Sequence, residues 1–188
     1  CGTPEPLEVP GGEKLGLLQS NVDQEYGADP KTGAVWGCAP ADQNSAAVKG
    51  GNDADDTGAS YIYMSDTVTF DKEKSGLRYA FETLSAADNF DGILKNIYEV
   101  TLSFKNPWSD RDVNISLEGQ EVESGLTLGQ NAWVSKTYRV KVTDGELNVL
   151  VNNPNRTSTS QDPLINCISV KAVTGNPDTT KLSEAVKA

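Results

Sequence analysis

Histidine is missing from all 188 residues. That single absence removes Ser-His-Asp and Cys-His nucleophilic catalysis together with the commonest transition-metal ligand. Cysteine is nearly as scarce: Cys1, Cys38 and Cys167 form an odd, unclustered set that is neither a disulfide framework nor a zinc site. Cys38 and Cys167 each flank an apolar element, so they can either pair or lie buried as small hydrophobes. Basic residues are outnumbered, 16 against 27 acidic, and the net charge of -11 repels both nucleic-acid phosphates and anionic membrane surfaces. No apolar run approaches the roughly 20 residues that cross a bilayer. Nucleic acid and membrane are therefore poor partners. A Gly-rich phosphate cradle, a nucleophile elbow and a metal-binding histidine pair are all absent too, which points away from an enzyme.

Helical periodicity is also lacking until the last dozen residues, while short runs of β-branched and aromatic residues recur between Gly, Asn, Asp and Pro clusters. The pattern predicts strands over 14–19, 60–65, 67–71, 77–83, 97–105, 112–119, 137–143, 146–152 and 165–173. So many strands without helices between them predict an all-β fold, a β-sandwich of jelly-roll type. In "IYEVTLSFK" the apolar Tyr98, Val100, Leu102 and Phe104 share one face, with Glu99, Thr101 and Ser103 on the other. Tyr138, Val140 and Val142 alternate likewise against Thr137, Arg139 and Lys141. Thr143-Asp144-Gly145-Glu146 then offers a tight turn, so 137–143 and 146–152 are expected to form a hairpin. Segments 21–58, 84–94 and 152–163 resist a strand reading; the first is too long for an idle loop, and the last reads as an exposed loop tip.

Residues 1–13 read as a linker and 14–174 as the sandwich. At 175–188, Pro177 breaks the chain, Asp178 or Thr179 can cap a helix, and Leu182, Ala185 and Val186 fall at helical spacing. This short C-terminal helical tail reads as the start of a following module.

The acids of the loops, Asp23, Glu25, Asp29, Asp110, Asp112 and Asp162, carry no motif and read as solvated charge. "NDADD" places Asp53, Asp55 and Asp56 together as hard oxygen ligands suited to calcium, yet without the ordered spacing of an EF-hand loop. Asn114-Ile115-Ser116 and Asn155-Arg156-Thr157 match the glycosylation sequon, a short pattern with a high chance rate. The aromatics are more informative. A sugar presents an axial-hydrogen face that packs on a ring and a rim of hydroxyls that needs polar partners. Trp36, Trp108, Tyr26 and Tyr63 lie in or beside loops that also carry Asp23, Asn106, Asp110, Arg111, Asn155 and Asp162, so both ingredients are present. Each ring can equally be packing against its own core or loop, Trp133 above all.

"IYEVTLSFKNPWSDRDVNISLEGQ", then "YRVKVTDGELNVLV" and "DPLINCISVKAV", resembles the malectin-like and galactose-binding-like β-sandwich modules appended to bacterial glycosidases. The order of segments over roughly 14–174 carries the resemblance: a strand ending in Phe, an aromatic loop, a "DG-x-L" hairpin, and a last strand begun after Pro. The early "VDQEYGADPKTGAVWG" looks like the opening of such modules, and "DTTKLSEAVKA" looks like the start of a FIVAR-type helical repeat. The resemblance implies a non-catalytic carbohydrate-binding module of a secreted or cell-wall-attached bacterial glycoside hydrolase. Its partners would be an oligo- or polysaccharide and the covalently linked domains of the parent protein. By position, Tyr63, Trp108 and Asp162 match the malectin ligand contacts, and Tyr26 or Trp36 stands for the first aromatic one. Arg111 and Asn106 are expected to bond sugar hydroxyls beside them. The alternative is a ligand-free spacer with the same fold.

Overall fold

The computed structural model describes residues 24–30, 33–38, 48–50, 62–64, 76–83, 96–155, 157 and 161–173. Every regular element among them is a β-strand, and they stack in two antiparallel layers. One layer contains β1 (Gly27–Ala28), β2 (Val35–Cys38), β5 (Leu77–Glu82), β7 (Arg111–Leu117), β8 (Gln120–Leu128) and β10 (Glu146–Asn152), in the order β1-β2-β5-β10-β7-β8. The other is built from two ladders. The first is β12 (Cys167–Ala172), β6 (Ile97–Lys105) and β9 (Trp133–Lys141); the second is β11 (Leu164–Ile165), β4 (Ile62–Met64) and β3 (Val48–Gly50). They join at Asn166, whose backbone N–H donates to the Ser103 carbonyl at 3.0 Å while its Oδ1 accepts from the Lys105 N–H at 2.7 Å. With β11 and β12 read as one interrupted strand, the layers run β5-β10-β7-β8 and β4-β11/β12-β6-β9 at their centres. That interleaving is a jelly-roll β-sandwich, as the strand count predicted.

Period-two alternation fills the space between the layers. Leu77 and Tyr79 of β5, Val113, Ile115 and Leu117 of β7, and Leu147, Val149 and Val151 of β10 are buried against Tyr98, Val100, Leu102 and Phe104 of β6. Each fully buried side chain of this kind contributes about 1.5–3 kcal/mol of hydrophobic transfer free energy. The reverse face of β6 is also covered. Thr101 and Ser103 are buried, and each pairs hydroxyl to hydroxyl across to β9, with Thr137 and Ser135, at 2.8 Å.

The expected hairpin of 137–143 with 146–152 does not form. β9 pairs along its whole length with β6, whereas β10 lies between β5 and β7 in the opposite layer. Asp144 Oδ1 does accept the Glu146 N–H at 3.1 Å, so the local turn chemistry is real. Its use is different: Val142 bonds to Asn96 and Gly145 to Thr83, and the chain steps between layers. The two-residue hairpin lies instead at Glu118-Gly119, both at positive φ (52° and 72°), between β7 and β8.

Segment 21–58 contains strands as well. β1 and β2 are too short to show alternation. They are fixed by backbone geometry, because Gly37 sits at φ 143° and a Cβ there would lie 2.5 Å from the Glu25 backbone. Cys38 and Cys167 are not joined to each other; they lie on opposite layers, and burial pushes the Cys167 thiol above its ordinary pKa. The expected strands at 14–19 and 67–71, the helical tail, and Asp53, Asp55 and Asp56 lie outside the described residues.

Candidate functional site

β6 ends at Lys105 and β7 begins at Arg111, and the five residues between them turn the chain from one layer to the other. Asn106 organises that turn. It is wholly buried; its Nδ2 donates to the carbonyls of Ser109 (2.8 Å) and Leu128 (3.0 Å), and its Oδ1 accepts the Trp108 N–H at 3.1 Å. Its backbone carbonyl accepts from Asn131, and Asp110 Oδ1 accepts from the Gln130 N–H, so the 106–110 loop is tied to the crossover after β8. Asn106 was expected to bond a sugar hydroxyl. With its amide directed into the loop backbone, it supports the loop from beneath.

The turn puts Trp108 at the surface, 37% exposed. The Arg111 guanidinium lies against its ring, with Cζ 4.7 Å from the centroid. Arg111 is itself only 4% exposed, and its Nη1 donates to the Asp162 carbonyl at 2.8 Å. Asp162 is 3% exposed, so the stretch 152–163, expected to be an exposed tip, turns inward at its end. Arg111 thus clamps the Trp108 loop to the chain entering β11. In the β4–β11 ladder Tyr63 stands opposite Leu164, two residues beyond Asp162. Four expected site residues, Asn106, Trp108, Arg111 and Asp162, meet at one end of the sandwich, and the backbone of Tyr63 reaches the same end.

Trp36 and Tyr26 are elsewhere. Trp36 opposes Phe81, which opposes Leu147 at the start of β10, so the pair sits at the other end. Its ring stacks on Phe81 (centroids 6.2 Å apart, planes 8° apart), and its Nε1 points to Asp29 Oδ2 at 3.3 Å. The Tyr26 hydroxyl donates to Glu146 Oε2 at 2.7 Å. That bond to a carboxylate, with burial second, raises its pKa to about 12. From Glu146 to Asn152 the strand spans roughly 20 Å at ~3.3 Å per residue, so these aromatics cannot share one small ligand with Trp108.

Beside the Trp108 loop lies a polar cavity of about 360 Å³, with Asp110, Asp112, Asn114, Thr127, Asn153 and Gln161 in its wall, and Arg111 reaching it from below. Its curvature comes from β8. Asn114 faces both Ser124 and Gly125, a bulge in which Gly125 takes φ 65° and donates its N–H to Asn114 Oδ1 at 2.9 Å. Thr127 Oγ1 donates to Asp112 Oδ1 at 2.7 Å. Asn114 Nδ2 bonds Glu121 Oε2 at 2.7 Å, and Asn153 Nδ2 bonds the Gln161 carbonyl at 3.1 Å. The sequence offered Asp110, Asp112 and Asn155 only as loop polars, and Asn114, Ser124 and Thr127 not as site residues at all. The missing signal was β8 itself, whose "QEVESGLTL" faces solvent over most of its length and whose alternation of Val122, Leu126 and Leu128 is broken at Ser124 and Gly125.

Known structures share this architecture. No family model and no curated protein matches the sequence. The chain is similar to part of β-glucuronidase 2 from Bacteroides uniformis, at 17% identity and TM-score 0.56, over 84% of this chain and 16% of that one. It is similar also to protein YXIM from Bacillus subtilis, at 14% identity and TM-score 0.51, over 81% of this chain and 35% of that one. A family 35 carbohydrate binding module from Clostridium thermocellum aligns at 18% identity and TM-score 0.41, over 72% and 98% of the respective chains. The chain therefore spans about a sixth of the β-glucuronidase it resembles. At such identities the likeness to the β-glucuronidase and to YXIM is one of fold.

Proposed function

We propose that this chain is a non-catalytic carbohydrate-binding module, carried by a larger secreted or cell-wall-attached bacterial glycosidase. Trp108 carries the reading: a large apolar ring held at the surface by a loop, beside a cavity lined with hydroxyl-bonding groups. In a ligand-free spacer that ring would be covered by its own loop or by a neighbouring module; its own loop leaves more than a third of it open. Arg111 lies against the indole, so a sugar would stack on ring surface that the guanidinium leaves open, with its hydroxyl rim over the cavity. Arg111 and Asp162 would act by fixing the ring and the cavity wall. A β-sandwich of this fold forms part of a β-glucuronidase chain, which suits an accessory module within a glycosidase. Even modest affinity there raises the local concentration of a tethered enzyme on its polymer.

A glycan-array and affinity-gel screen of the chain, beside Trp108→Ala checked by melting, tests this. Losing an indole face worth about 1.5–3 kcal/mol should weaken binding by tenfold or more while the variant stays folded. Absence of binding by the wild type across a broad panel, with early melting of the variant, would establish the spacer instead.

A further inference from the structure

We infer that the sugar taken by this site is uncharged, and that the cavity discriminates against the corresponding uronic acid. The inference rests on the carbohydrate reading above and follows from which groups in the wall can give or receive a hydrogen bond. Asp110 and Asp112 are its two carboxylates, and each spends Oδ1 on the protein, on the Gln130 N–H and the Thr127 hydroxyl respectively. Each carboxylate keeps acceptor capacity beyond that one bond, which a sugar hydroxyl in the cavity can satisfy by donating. A uronate carboxylate has no proton to donate and adds a third negative charge to the same small space.

The amides redress the balance only in part, since they are neutral donors and two of them are engaged: Asn114 directs its Nδ2 to Glu121, and Asn153 directs its Nδ2 to the Gln161 carbonyl, which leaves Asn155 and Gln161 as neutral partners for a hydroxyl. Among the described residues the wall has one cation, Arg111. It is 4% exposed, lies against Trp108 and donates into the Asp162 carbonyl, so it anchors the loop and presents little surface to a ligand. The net charge of -11 adds a background of the same sign. Two carboxylates within several ångströms of a ligand carboxylate, near a protein surface, disfavour it by roughly tenfold.

The test compares oligosaccharides matched except at C6, gluco- with glucurono- and galacto- with galacturono-, by calorimetric titration of the whole chain. The neutral member of the pair that binds should bind at least about tenfold tighter at low salt, and the gap should narrow at about 0.5 M salt as the screening length contracts. Asp110→Asn and Asp112→Asn keep the Oδ1 acceptors and should each narrow the gap further, mainly by improving the uronate. Equal or tighter binding of the uronate, or a gap indifferent to both salt and the Asn variants, would overturn the inference while leaving the carbohydrate reading intact. Binding of neither member of any pair by the folded chain would overturn that reading, and this inference with it.

Discussion

The two ends of the sandwich contain the same raw materials and use them in opposite ways. At one end Trp36 and Tyr26 sit beside Asp29 and Glu146; at the other Trp108 sits beside Asp110 and Asp112. The Trp36 ring is stacked on Phe81 with its N–H directed to Asp29, and the Tyr26 hydroxyl is bonded to Glu146. These aromatics close the edge of a sheet. Trp108 rests on Arg111, and more than a third of its surface stays open. An aromatic in an acid-rich stretch therefore says little by itself; what separates a ring closed into the fold from one left open at the surface is the partner that meets it.

The largest effect is expected from Asn106→Ala. Three hydrogen bonds of a fully buried amide would go, and the carbonyls of Ser109 and Leu128 would lose a donor, a cost of about 3 kcal/mol in denaturant unfolding. Sugar affinity should fall with it, because the loop that raises Trp108 loses its brace. Lost affinity at unchanged stability would instead return Asn106 to the role of ligand contact. Trp36→Ala comes next. A half-buried indole stacked on Phe81 should cost about 2 kcal/mol on melting, less than a fully buried one, with affinity unchanged. A drop in affinity there would place a second sugar contact at the far end and erase the distinction between the two.

Most of the architecture was readable because the core strands obey period two. The spans 97–105 and 146–152 match β6 and β10, since Tyr98 to Phe104 and Leu147 to Val151 alternate cleanly. The pairing was less readable. Asp144-Gly145 has the chemistry of a hairpin turn, yet both flanking strands carry one apolar face, and a sandwich can satisfy both faces by sending the strands to opposite layers. β8 escaped notice because it is a mostly exposed edge strand whose apolar positions, Val122, Leu126 and Leu128, are interrupted by Ser124 and the bulge at Gly125. The cavity escaped with it, since Ser124, Gly125 and Thr127 of that strand form one side of its wall. Of the site residues, Trp108 could be picked out as a ring following Asn106-Pro107, but the buried roles of Asn106, Arg111 and Asp162 depend on contacts 22 positions (Asn106 to Leu128) and 51 positions (Arg111 to Asp162) away, which no local pattern encodes.

Tyr26→Phe gives the smallest effect and probes the structural end most directly. The bond to Glu146 holds the Tyr26 phenol at about 12 against an ordinary value of 10.0. A folded-state pKa above the unfolded one means that the added stability is fully present below pH 10 and is lost as pH climbs through about 12. Tyr138, raised by burial and by its bond to Glu123, titrates in the same direction, so the variant should still lose stability at alkaline pH after Tyr26 is removed. The Phe variant should accordingly be less stable than wild type by about 1 kcal/mol near neutral pH and should lose less on alkaline titration, with the two curves converging. Curves that stay parallel from neutral to strongly alkaline pH would mean that the Tyr26 hydroxyl is not committed to Glu146 in solution. It would then be open to a ligand, and the contrast between a closed end and a binding end would rest on Trp36 alone.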